Sequence, residues 1–474
     1  MSARCPPTTN QVLVSSRKVS SPRLASIVPP RPAEPVYTLG FCLFLLVNAV
    51  LFIRPAEIIA DLEGLPIYET VILAALLVAV PAMARQLAGG ALISKPILMC
   101  VIGLWLAVVA HYVRIRVFWH IREEGFEFFK IVLYFLLMIA NVTTVGRLRH
   151  FLYWLVAFIF ALTVLALLNF YEVIDIASLI RINERIIDSE TGGLVLLPRL
   201  SSTGIYDNPN ALARILLVGM GISFYLFSDV RGSLGRLVGL CLLGVFAYSF
   251  LQTQSRGGFI GFLVGVLTLI TARFGWRKSL PLAIVVLPVI FLLFGGRQTE
   301  IAGALSQGTG QSRIQLWSQG FAAWKESPLF GIGMNQFEKY AGNGSHNSFV
   351  QWYVELGFIG GTSFVSAFYL ALSHVFRLGS RRYRILDPEL AQLHPHLATM
   401  LSAYTAGMFS IAVGYLLPTF MVLGLATVFV TLVRTTPPFV KSALNIRLIC
   451  LMILLSFIVV ICIYGYVRLF VNWA

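Results

Sequence analysis

Gly344-Ser345-His346-Asn347-Ser348-Phe349-Val350-Gln351-Trp352-Tyr353-Val354-Glu355-Leu356-Gly357-Phe358-Ile359-Gly360-Gly361 runs from a polar turn straight into an apolar helix, in the pattern HNx9GxxGG. Phe349 to Leu356 are apolar enough to enter lipid immediately after the polar pair, so the reading predicts a membrane helix with a titratable imidazole at its mouth. A histidine held at the lipid–water boundary is placed to take a proton from a hydroxyl.

Outward from that helix the whole chain reads the same way. Of 474 residues, 58% are hydrophobic and only 12% are charged, with a mean hydropathy of +0.82, far above an ordinary soluble domain. Apolar segments long enough to cross about 30 Å of hydrocarbon fall at 37–53, 68–84, 96–113, 126–143, 150–170, 210–228, 236–251, 257–273, 281–295, 347–375, 398–416, 418–434 and 447–470. Because every backbone polar group must be satisfied inside lipid, the expected fold is all-α, a polytopic integral membrane protein of about 12–13 transmembrane helices.

A net charge of +15 raises the question of nucleic acid, and the position of the cations answers it. Arg17, Lys18, Arg23 and Arg31 precede the first span. Arg85 and Lys95, Arg147 and Arg149, Arg231 and Arg236, then Arg273, Arg277 and Lys278, and finally Arg377, Arg381, Arg382 and Arg384 occupy alternate connections. The positive-inside rule makes those connections cytoplasmic and leaves 171–209 and 296–346 as two long outer loops. The charge is topology, and no nucleic-acid partner is expected. Arg114, Arg116 and Arg122 run against this scheme, offset in part by Glu123, Glu124 and Glu127.

The Pro- and Ser-rich residues 1–35 lack an apolar run long enough for a secretory signal and read as a disordered cytoplasmic tail. Cys5 lies in that tail, whereas Cys42, Cys100, Cys241, Cys450 and Cys462 lie inside spans, so neither a disulfide framework nor a CxxC metal site is expected.

Function is therefore sought in the two outer loops. In the first, Pro198-Arg199-Leu200-Ser201-Ser202-Thr203-Gly204 precedes Tyr206-Asp207-Asn208-Pro209-Asn210-Ala211. The second piece reads as a helix start, with Asn208 or Asn210 capping and Pro209 in the first turn. Arg199 beside that N-terminus is either an anion ligand or a snorkelling arginine. Gln254-Ser255-Arg256-Gly257-Gly258-Phe259-Ile260-Gly261 opens a further span, where a guanidinium fork and exposed amides suit a phosphate. The alternative is a packing face of Gly257, Gly261 and Gly265 with Arg256 at the interface.

The second outer loop begins Gly-rich, from Gly295 through Gly310, and continues into a segment where Ile314, Trp317, Phe321 and Trp324 share one helical stripe. That stripe suits a helix lying on the membrane surface, with Arg313 at its start near His346. Ser327-Pro328-Leu329-Phe330-Gly331-Ile332-Gly333 then reads as a breaker-rich turn. His111, His120, His150, His374, His394 and His396 show no partnering pattern and read as structural or incidental. Neither outer loop holds HExxH, an acidic cluster of metal spacing or a paired acidic motif, so no metal and no cofactor are expected. One histidine and several arginines suit transfer of a group from an anionic leaving group to a hydroxyl.

YDNPNALA at 206–213, TQSRGG at 253–258, SRIQLW at 312–317, SPLFGIGMNQF at 327–337 and HNSFVQWYVELGFIGG at 346–361 resemble the O-antigen ligase and polymerase family, in the same order and with the long outer loop before the histidine motif. The resemblance covers about 160 residues. It implies a metal-independent, inverting glycosyltransferase of the bacterial inner membrane with its site on the periplasmic side. The donor would be a glycan linked through pyrophosphate to undecaprenol, and the acceptor a glycan or lipid core. His346 is similar to the family's catalytic histidine. Arg256 is similar to the arginine that neutralises the donor pyrophosphate, with Arg199 second and Arg313 third. Asn347 is a supporting group that holds the imidazole or a sugar hydroxyl, and Asn210 supports the helix start. The chain then divides into the tail at 1–35, N-terminal helices and the start of the first outer loop at 36–190, a ligase/polymerase-like core at 191–376 with the catalytic loop 296–346, and C-terminal helices at 377–474. Polymerase is preferred over ligase, since nothing in the outer loop marks a protein or core acceptor. A transporter of an anionic solute or lipid-linked saccharide is the alternative of another class, opposed by cations gathered at the outer rim.

Overall fold

A computed structural model of the chain describes residues 36–176, 178–179, 181–187, 194–228, 232–293 and 309–472. The expected tail at 1–35, the acidic Asp188 and Glu190, the basic Arg231 and the Gly-rich stretch 294–308 lie outside the described residues. Tyr37–Ala474 forms one compact unit.

The chain is an all-α, multi-pass membrane protein. Nine helices among the described residues are long and apolar enough to cross a bilayer: α1 (Leu39–Ile53, which runs on to Ile58 in this measure), α2 (Ile67–Leu87), α3 (Pro96–Arg114), α5 (Val145–Phe170), α6 (Pro209–Ser228), α7 (Ser233–Gln252), α8 (Arg256–Phe274), α11 (Ser348–Leu378) and α14 (Ile446–Phe470). The remaining expected segments are also helical but shorter or more polar: α4 (Phe126–Asn141), α9 (Trp276–Leu293), α12 (Pro388–Gly407) and α13 (Leu417–Leu432). The outer loop before α11 carries α10 (Thr309–Trp324). Several helix starts are set by side-chain caps. Thr144 Oγ1 accepts from Arg147 N at 3.2 Å, Asp387 Oδ1 from Glu389 N at 2.9 Å, and Asn445 Oδ1 from Leu448 N at 2.9 Å, each satisfying amides that a helix leaves open.

Two expectations change. The segment 398–416 is not one span, because α12 begins at Pro388 and ends at Gly407. A tight turn follows at Met408–Ser410, and the backbone beyond is tied to α11, where Ser348 Oγ donates to Ile411 O at 2.8 Å and accepts from Val413 N at 3.0 Å. A short antiparallel hairpin also stands in the first outer loop. Its strands β1 (Ile182–Ile187) and β2 (Leu194–Arg199) pair Ile182 with Arg199.

The connection after α3 lies at the same end as the long loop before α11, so its arginines do run against the charge scheme and are engaged there instead. Arg114 Nη1 donates to Ser327 Oγ, His111 Nδ1 lies 3.1 Å from Phe330 O, and Asn335 Nδ2 donates to Glu124 Oε2 at 2.9 Å.

Helix α11 is interrupted. Gly357 has φ 64° and ψ −164°, a conformation open to glycine, and the SPLFGIG stretch docks against the break. Ile332 N donates to Val354 O at 3.1 Å, Gly333 N to Glu355 O at 2.8 Å, and Phe358 N to Pro328 O at 2.8 Å. The breaker-rich turn therefore supplies the partners that the broken helix lacks, which lipid could not provide. Below it, Glu355 is 1% exposed, with Tyr415 OH donating to Oε2 at 2.5 Å and Phe337 N to Oε1 at 3.0 Å.

Candidate active site

The apolar stripe of α10 faces protein rather than a membrane surface. Ile314 and Phe321 are buried with Phe337, Val350, Val354 and Val467, and Trp317 and Trp324 pack against that cluster. The helical period was legible, but the partner is α11 and α14. This packing seats Arg313 over the start of α11, and Trp317 Nε1 donates to Ser345 O at 2.6 Å.

That hydrogen bond clamps the turn bearing His346. Ser345 Oγ donates to Asn347 O at 3.0 Å, and Asn347 Oδ1 caps α11 by accepting from Phe349 N at 2.9 Å and Val350 N at 3.2 Å. Asn347 is 2% exposed, and its side-chain oxygen is committed to the cap rather than to the imidazole. His346 itself has φ +49°, left-handed backbone that costs about 1–2 kcal/mol for a residue with a β-carbon. Its neighbours' hydrogen bonds hold it there, as expected where strain serves a site.

A cavity of about 510 Å³ opens beside that turn. His346, Arg256, Arg313, Arg199 and Asn210 all line it, together with Glu184, Gln254 and Trp317. Residues 147 positions apart in sequence are thus brought to one space. Burial and the Arg313 cation hold the His346 imidazole below its usual pKa of 6.5, so the neutral, proton-accepting form prevails at neutral pH.

Arg199 and Arg256 differ in their surroundings. Arg199 Nε donates to Thr253 O at 2.9 Å, Nη1 to Glu184 Oε2 at 2.8 Å and Nη2 to Asn210 Oδ1 at 3.1 Å. Its guanidinium is therefore held by the protein, 8% exposed, and braces the wall more than it presents an open fork. Asn208, not Asn210, caps α6, with its Oδ1 accepting from Asn210 N at 2.8 Å. Arg256 stands at the first position of α8, where Ser255 Oγ accepts from Gly258 N at 3.0 Å. The glycines behind it are a packing face as well. A β-carbon at Gly257 would meet Ser410 Oγ at 1.8 Å, and one at Gly261 would meet Ala403 O at 2.8 Å. The packing reading of this segment holds, and the same close packing on α12 and the turn after it places Arg256 at the cavity.

The other histidines are engaged in the frame, such as His394 Nε2 at 2.8 Å from Val375 O and His374 Nε2 at 3.0 Å from Ser442 Oγ. Among the described residues no group of three His, Cys, Asp or Glu side chains is placed to hold a metal ion. Glu184 was not read as a site residue and Trp317 was read only as part of the apolar stripe, because the hairpin and the docking of α10 that place them at the cavity have no local signature. Arg214 was also missed, although its spacing of four from Asn210 put both on one face of α6.

Residues 239–365 match the family described as O-Antigen ligase. Over that stretch the chain is similar to the O-antigen ligase family. The stretch contains Arg256, Arg313, His346 and Asn347, whereas Arg199 and Asn210 precede it and reach the cavity through the fold. The chain is also similar to the Exopolysaccharide production protein ExoQ of Rhizobium meliloti (strain 1021), 29% identical over 181 residues. That similarity covers 34% of this chain and about 40% of the relative's length.

Proposed function

We propose that this protein is a membrane glycosyltransferase of the O-antigen polymerase and ligase type. It would join glycan carried on undecaprenyl pyrophosphate to an acceptor hydroxyl on the periplasmic face of the bacterial inner membrane. The observation that carries the reading is the convergence of His346 with Arg256 and Arg313 in one cavity at the mouth of α11. In this scheme His346 accepts the acceptor's proton as its oxygen attacks the anomeric carbon from the face opposite the leaving group. The glycosidic bond to the pyrophosphate breaks, the configuration inverts, and the pyrophosphate departs with the electron pair. Arg256 and Arg313 stabilise the charge that develops there, while Arg199 holds the wall that aims Arg256. One such fixed donor is worth roughly 3 kcal/mol of transition-state stabilisation, and a positioned base on the order of a hundredfold or more.

A separate apolar cavity of about 300 Å³ lies among α6, α7, α8 and α12, lined by Leu217, Gly221, Gly265 and Ala403 among others. It suits the start of the donor's polyprenyl chain. Similarity to an exopolysaccharide production protein favours repeat-unit polymerisation, whereas similarity to the O-antigen ligase family favours transfer of finished glycan. We prefer the polymerase.

The test compares surface and lipid-linked glycans of a deletion strain carrying either the wild-type protein or His346→Ala. Single repeats where wild type gives a ladder identify a polymerase. Full-length polymer stranded on undecaprenol identifies a ligase. Identical glycans in both strains would reject the enzyme and bring a transporter forward. EDTA should leave the rate unchanged, and inhibition would refute the metal-free scheme.

A further inference from the structure

Arg214 is the largest buried side chain of the bundle after Trp352, and only 1% of it is exposed. It lies on α6 one turn beyond Asn210, whose side chain lines the cavity. Its Nε, Nη1 and Nη2 have no hydrogen-bond partner among the described residues. Arginine stays charged in proteins, and a buried charge without a partner costs several kcal/mol. A membrane helix has no evident structural need for such a group, since a methionine of similar length would pack at no electrostatic cost.

The surroundings indicate what the charge faces. The side chain packs on Gly407, where a β-carbon would stand 2.9 Å from Nε and 3.1 Å from Cδ. Ala406, Phe409 and Ser410, on either side of that glycine, line the cavity. A single turn of chain, thinned to glycine at 407, thus separates the guanidinium from the space shared by His346, Arg256 and Arg313. The titratable and charged groups near it are Tyr404 of α12 and Arg313. No carboxylate is paired with it among the described residues.

We infer that Arg214 is a backing charge beneath the cavity, whose counter-ion is the diphosphate group bound in that cavity and not a residue of the protein. It is a positioning residue that acts through its field and not by contact. A diphosphate carries more negative charge than a monophosphate, so a fixed charge behind the wall favours the diphosphate ester. The stability given up by burying Arg214 becomes affinity for the anion, a trade of the kind seen where active sites carry unfavourable groups. This inference rests on the donor reading above.

The experiment uses the full chain in lipid nanodiscs, with geranyl pyrophosphate and geranyl monophosphate as probes in a binding titration, and thermal melting in parallel. Arg214→Met should melt no lower than wild type yet bind geranyl pyrophosphate roughly tenfold more weakly, the scale of one charge acting over about 10 Å at an effective dielectric constant near 20. The loss should be smaller for the monophosphate. Arg214→Lys supplies a second readout, because a buried lysine titrates where arginine does not. Its diphosphate affinity relative to wild type should fall as pH rises, whatever Met does to folding. Unchanged binding by Arg214→Met, or a pH-independent ratio for Arg214→Lys, would overturn the inference. Arg256→Gln separates the two proposals. If it loses the diphosphate while Arg214→Met does not, only the backing charge fails. If Arg256→Gln binds as wild type does, the donor reading fails with it.

Discussion

Ser255 Oγ donates to Asn210 Oδ1 at 2.6 Å. The same oxygen accepts from Arg199 Nη2 at 3.1 Å, so one amide joins the cap of α8, the first turn of α6 and the end of the β1–β2 hairpin. Asn210→Ala should therefore cost about 1–3 kcal/mol, the usual consequence of leaving buried donors short of an acceptor. A lowered melting temperature in detergent checks this, and an unchanged one would show that the junction is held elsewhere.

Acidification should slow transfer by protonating His346. Burial and Arg313 hold its pKa below 6.5, so the base form is full at neutral pH and is lost only as pH falls through that lowered value. Arg313→Gln removes one of the two causes and should move the acid limb of the rate profile upward, toward 6.5. A limb that stays in place or moves down would show that another group sets the profile.

Replacing Arg256 by Lys keeps the charge but loses the planar fork. On the proposed mechanism the rate should fall on the order of a hundredfold, the loss typical of one missing oxyanion donor, with little change in membrane insertion. A wild-type rate would leave Arg256 as a packing residue of the glycine face.

Gly357→Ala should disrupt the outer half of α11. An added β-carbon would meet Leu329 C and O at 2.3 Å, on backbone at φ 64°. Overpacking of this kind costs about 1–3 kcal/mol, to which a backbone conformation essentially confined to glycine adds about 1–3 kcal/mol. Protease sensitivity of the loop at Ser327–Gly333 reports the damage, and a resistant variant would show that the break tolerates a side chain.

Much of this was legible from local signals. Long apolar runs marked the membrane helices, Asn208 and Pro209 marked the start of α6, and Ser255 the start of α8. Where the reading went astray, a distant partner decided the outcome. The stripe from Ile314 to Trp324 has the same period on lipid or on protein, and only the contacts with Val350 and Val467 distinguish them. The bonds that hold Arg199 could not be read, because the hairpin that brings Glu184 across to it has no local signature. Span 398–416 looked continuous because a hydroxyl on another helix, Ser348, secures the chain past Ile411. Arg214 escaped notice inside an apolar run, where one charge barely alters the average.

The break at Gly357 has a mechanical consequence. Ser348–Leu356 is a rod of about 14 Å at 1.5 Å per residue, fastened at its inner end by main-chain bonds to Pro328–Gly333 and at its outer end by Trp317. Thickening or thinning of the surrounding lipid acts on Phe358–Leu378 and on the exposed flank of α14, and is taken up at the joint. On the proposed mechanism His346 should thereby be insulated from the bilayer, so transfer rates should vary little among vesicles whose acyl chains differ by several carbons.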